Sequence, residues 1–140
     1  MKKHPQWRDE VLTEVERIRQ IYFDVRQRKT REVELLGKKC DAQILYTFLG
    51  FEVKMGRRRL TCPDMVSARY LRIFAELGMG QVSIPYDPTQ TALILDGLEP
   101  ALDRIKELLL QAELDRSAHQ RTLRQIYNMI RRQLLGPEHS

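Results

Sequence analysis

Apolar side chains recur at alternating steps of four and three through Val11, Val15, Ile18, Tyr22 and Val25, which places them on one helical stripe. The spacing predicts a long helix over residues 7–36, capped by Gly37. The stripe fails at Lys29, so the charged run 26–34 reads as a solvated extension or a bend. Residues 40–50 form a short apolar run that fits a buried helix or a strand equally. Beyond it Phe51, Val53 and Met55 alternate with polar residues, as do Arg58, Leu60 and Cys62, so two strands meet in a hairpin around Gly56 and Arg57.

Pro63 and Asp64 then mark a helix start, with Val66, Tyr70, Ile73, Phe74 and Leu77 as its buried face and Gly78 as its end. Val82, Ile84 and Tyr86 alternate as a strand, and Pro85 sends it to an edge or a strand end. Residues 87–90 read as a turn and 91–96 as a returning strand. After Gly97, Leu98, Leu102, Ile105, Leu109 and Ala112 step helically, and Leu123, Ile126 and Ile130 resume after Arg116 and His119 interrupt. A helix over 99–135 would approach 55 Å at ~1.5 Å per residue, so it bends near 115–120 or projects over 115–135.

These elements give an α+β class. The expected architecture is a four-stranded antiparallel sheet from two hairpins, 51–62 and 81–96, with a central helix 64–77 and long N- and C-terminal amphipathic helices. The alternative is a winged helix-turn-helix with helices at 30–37 and 41–49 and the hairpin as its wing. Against it, Ile44, Leu45, Tyr46, Phe48 and Leu49 make the second helix too apolar to face DNA. A single domain over 1–140 is expected, with residues 1–6 and 136–140 as flexible tails.

The composition, 42% hydrophobic and 31% charged, supports a core rather than a disordered polymer. The net charge of +5 is unevenly spread. Residues 1–40 carry eleven Lys or Arg against seven Asp or Glu, 41–98 balance at six each, and 115–135 hold five Arg against Asp115 alone. Cys40 and Cys62 have no His partners at metal-ligand spacing and make no disulfide framework, so a reduced, cytoplasmic setting and no metal or cofactor are expected. No apolar run approaches a membrane span.

Three consecutive arginines, Arg57, Arg58 and Arg59, are the sharpest candidate for phosphate contact. Strand alternation lets at most two project together, and charged strand edges also guard against edge-to-edge pairing. Arg121, Arg124 and Arg131 fall near one stripe of the final helix and could follow a row of phosphates; the same amphipathicity suits packing with a solvated rim. A thiol at a helix N-terminus would make Cys62 reactive, but His4, His119 and His139 are not placed as its base, which favours a buried structural thiol. Asp64, Tyr86 and Asp87 would line a small-ligand site only if the fold gathered them; turn chemistry explains the latter two equally.

The function expected from these features is non-catalytic binding of nucleic acid, DNA or RNA, by phosphate-neutralising arginines at Arg57, Arg58, Arg59, Arg121, Arg124 and Arg131. The alternative is an assembly factor that dimerises through its heptad helices and grips an acidic protein. A small-ligand sensor or enzyme stands third.

Overall fold

In a computed structural model that describes residues 6–135, the chain is α+β with antiparallel strands. The tail assignments for residues 1–5 and 136–140, with His4 and His139, lie outside the described residues. Gln6 already belongs to the first helix, α1 (Gln6–Arg26). The elements continue as β1 (Thr30–Glu34), β2 (Ala42–Thr47), β3 (Gly50–Met55), β4 (Arg58–Cys62), α2 (Met65–Leu77), β5 (Gln81–Pro85), α3 (Pro88–Gln111) and α4 (Arg116–Leu135). The chain forms two compact units, residues 24–95 and residues 6–23 with 96–135.

In the 24–95 unit the strands make two small sheets in place of the expected four-stranded one: a meander β2-β3-β4 and a pair β1-β5. The hairpin expected over 51–62 is present as β3 and β4, turning at Gly56 and Arg57, where Gly56 has φ +61. The ambiguous 40–50 run supplies β2, paired to β3 from Ala42↔Met55 to Thr47↔Gly50. That pairing and β1 together remove both helices of the winged alternative. β1 forms where a helix was expected because the register Thr30↔Pro85 to Glu34↔Gln81 gives its backbone a distant partner, burying Val33. Leu35 N–H continues the ladder to Gly80 O at 2.9 Å.

The meander's inner face carries Ala42, Met55, Val53 and Cys62, all buried, and α2 packs on the meander. Helix α2 begins one step later than Pro63 implied: Asp64 is the extended N-cap, its Oδ1 accepting from Ser67 N–H at 2.7 Å. Gly78, at φ +87, closes the other end, with Gly78 N–H on Ala75 O and Met79 N–H on Phe74 O. Tyr70 and Phe74 stack at 4.8 Å between centroids, and Tyr70 Oη donates to Ser83 O at 2.6 Å. Ser83 Oγ donates to Glu32 Oε2, its opposite residue across β1-β5.

The second strand of the expected 81–96 hairpin is instead the start of α3. Asp87 caps it, accepting Thr89 N–H on Oδ1 at 2.9 Å, and Pro88 occupies the first helical position. The buried series Thr91, Leu95, Leu98, Leu102, Ile105 then steps by four and three, so the helical stripe extends back through the segment read as a strand.

In the helical unit, the expected 99–135 helix is two. It breaks at residues 112–115, where Glu113 takes φ +56, and Asp115 recaps the chain by accepting Ala118 N–H at 2.8 Å. The α1 stripe Val11, Val15 and Ile18 is buried, as are Ile126, Tyr127, Ile130 and Leu134 of α4. Gly97 is the close-packing point: a Cβ there would sit 3.2 Å from Ile21 Cδ1. Arg104 joins α3 to α1 through Glu10 at 3.0 Å, an exposed pair that adds little.

Candidate nucleic-acid interface

β-sheet alternation divides the arginine triplet. Arg58 lies opposite Met55, on the face that carries the core, and reaches across to β1: Nη1 donates to Leu35 O and Nη2 to Glu34 O, each at 3.2 Å. Arg59 lies on the other face, opposite Lys54, and Lys54 is opposite Gln43 of β2. Arg57 is in the turn, exposed, with no hydrogen bond or ion pair among the described residues. One guanidinium ties the meander to β1, one belongs to a sheet face, and one projects.

The Lys54–Arg59 pair carries like charges directly opposite each other, an arrangement that costs stability in an antiparallel sheet. Glu52, next but one along β3, partly offsets it, with Oε1 3.5 Å from Arg59 Nη1. That oxygen is buried and makes no hydrogen bond, so the contact is an ion pair of long geometry. Lys38 and Lys39 precede β2, and since Ala42 is opposite Met55 they enter the sheet at the arginine end. Six basic residues, Lys38, Lys39, Lys54, Arg57, Arg58 and Arg59, thus belong to a segment, 35–62, with two acidic ones, Asp41 and Glu52.

The second expected cluster lies in the helical unit. Arg121 and Arg124 are exposed on α4, whereas Arg131 is half-buried and donates to Asn128 Oδ1 at 3.0 Å. Those arginines therefore belong to a different unit from the turn arginines. The heptad stripes of α1 and α4 are spent inside one chain, and are not available for the expected helix-mediated dimer. Between the start of α1 and α4 an apolar groove of about 250 Å³ is lined by Trp7, Val11, Leu12, Ile126 and Met129.

The catalytic candidates disperse into structural roles. Cys62 is buried, and burial first, then the charge of Asp64, pushes its thiol up to about 11, opposite to the activation a helix N-terminus would give. Cys40 is also raised, chiefly by burial, with Glu76 and Asp41 adding to it. The carboxylates of Asp64 and Asp87 are both engaged as helix caps, which leaves Tyr86 exposed in the turn before α3. His119 has a buried Nε2 with no hydrogen-bond partner, and no group of three His, Cys, Asp or Glu that could hold a metal occurs among the described residues. None of the described helices is long and apolar enough to cross a membrane.

Sequence reasoning missed Lys54 as the cross-strand neighbour of Arg59, and Lys38 and Lys39 as residues at the same end of the sheet. Lys54 was legible, since a hairpin turning at Gly56 and Arg57 sets it opposite Arg59. Lys38 and Lys39 were not, because their position depends on residues 42–47 being a strand. The chain matches no protein-family model, and neither curated proteins nor solved structures give a match.

Proposed function

We propose that the protein is a non-catalytic nucleic-acid-binding module whose contact surface is the basic end of the β2-β3-β4 meander. The observation that carries this reading is the Lys54–Arg59 like-charge pair beside the projecting Arg57. A cationic pair on a sheet face, offset only in part by the long Glu52 contact, costs folding free energy, and a phosphate bridging the Arg59 guanidinium and the Lys54 ammonium would offset the remainder. Arg58, held by two backbone carbonyls, fixes the turn so that Arg57 and Arg59 are presented from a rigid support. Binding of this kind is mainly phosphate neutralisation and carries little base selectivity. Arg121 and Arg124 offer a second basic surface on α4.

The test is a salt titration of binding to duplex DNA, single-stranded DNA and RNA. With about four phosphates neutralised, log K falls against log salt with a slope of roughly −3 to −4 on duplex and somewhat less on single strands. Arg57→Glu weakens binding to every sequence and lowers the slope by about one. Absence of binding to all three polymers at low salt would end this reading; binding only to an acidic protein would transfer the surface to that partner.

A further inference from the structure

Among the described residues the two outer strands of the meander have no further strand partner, and the two edges are treated in opposite ways. β4 carries Arg58 and Arg59 with Arg57 at its approach, and charged side chains of this kind discourage another strand from adding. β2, with the sequence Ala-Gln-Ile-Leu-Tyr-Thr, has no charge and no proline, and its unbroken register with β3 shows no bulge. Its outer side has no strand partner among the described residues.

The turn that follows this edge is Phe48-Leu49, closed by Thr47: its Oγ1 accepts from Leu49 N–H at 3.2 Å and donates to Gly50 O at 3.1 Å. Thr47 thus makes the turn, and Phe48 and Leu49 contribute nothing to it that polar residues would not. Yet Phe48 is 107% exposed, Leu49 86% and Tyr46 76%. Three large apolar side chains held out beside an unguarded edge form a surface made to be covered.

We propose that β2 is a dimerisation edge, at which two copies of this chain pair antiparallel about a two-fold axis to form one six-stranded sheet. A second copy is the occupant that suits the chemistry, because an isologous contact sets a surface against itself and this strand has no charge to repel its twin. With Leu45 on the axis, Ile44 faces Tyr46 of the second copy and Gln43 faces its Thr47, so the strand pairs are apolar on one face and uncharged on the other, with Phe48 and Leu49 of each turn flanking them. The arginine-bearing β4 strands become the two outer edges, where charge prevents further addition and the assembly stops at two. Covering the edge and three side chains from each copy buries on the order of 1,000 Å², the lower end for a specific interface, so the dimer is concentration-dependent.

The experiment is sedimentation equilibrium of the full chain over a wide concentration range, with circular dichroism to verify folding. The wild type shows a reversible monomer–dimer equilibrium; Phe48→Asp, at a fully exposed site, shifts it to monomer at least tenfold in Kd, and Gln43→Lys on the edge does the same. Under mild oxidation Leu45→Cys gives a cross-linked dimer, whereas Thr61→Cys on β4 does not. A wild type that stays monomeric throughout, a dimer that survives both variants, or a monomer that moves onto anionic vesicles through Phe48 would each overturn the proposal. The salt titration above reads a different surface, so either result stands without the other.

Discussion

The two turns of the meander answer to opposite chemistry. At one, Gly56 and Arg57 lead into arginines of which Arg58 is bound into the chain's own backbone and Arg59 is paired with Glu52. At the other, Phe48 and Leu49 are held clear of the chain by a threonine that completes the turn without them. The lesson is that exposure and charge are poor guides taken singly. The charged turn performs a structural task in part, and the Phe48 and Leu49 side chains of the apolar turn make no hydrogen bond within the chain.

The strands that carry both turns pack on α2, so the broadest way to break the comparison is to remove that support. Phe74→Ala deletes a side chain that is 1% exposed and stacked on Tyr70, and is expected to cost about 3–5 kcal/mol in denaturant unfolding. A cost below about 1 kcal/mol would mean the sheet keeps its geometry without the helix. At the charged turn, Arg58→Ala removes two bonds to the Glu34 and Leu35 carbonyls and should cost about 1–2 kcal/mol, while Arg57→Ala stays within about 0.5 kcal/mol. Equal effects from the two arginines would erase the division of labour between them.

The finest test reads the apolar end from inside, where Cys62 lies opposite Phe51. Its folded thiol is pushed from 9.0 up to about 11 by burial, so between those values the unfolded chain has released a proton that the folded chain retains. Its contribution to stability is therefore complete below pH 9 and declines as pH rises toward 11. Unfolding curves for Cys62→Ala should lose stability less steeply in this window than the wild type. At neutral pH Cys62 should resist alkylation until the protein is denatured, and rapid labelling of the native protein would show that this end of the sheet is open.

Elements with local signals were legible in the sequence. Strand alternation and Gly56 gave β3 and β4, and Asp64 with Gly78 bounded α2 within a residue. β1 was misread because its helical continuation is locally plausible, and only pairing with β5, a distant strand, makes it extended. The segment 91–96 carries a helical signal of its own: Asp87-Pro88 is a cap followed by a proline, as opens helices, and Thr91 continues the stripe of Leu95 and Leu98. Of the candidate site, the place of Arg57 in the turn and of Arg58 and Arg59 on opposite faces of a strand was legible from the alternation, but the capture of Arg58 by the Glu34 and Leu35 carbonyls was not, since it depends on the same non-local pairing.

That pairing also sets an order on folding. The meander joins neighbours through two short turns, whereas β1 and β5 meet across about fifty residues. Closing so long a loop before its contacts exist costs more chain entropy than forming either hairpin. The β1-β5 pair, with its Glu32–Ser83–Tyr70 chain, is thus expected to close after the hairpins of the meander have formed. Among the described residues no strand covers the β2 edge after that closure either, so it is open to another copy of the chain in the nascent and the folded state alike.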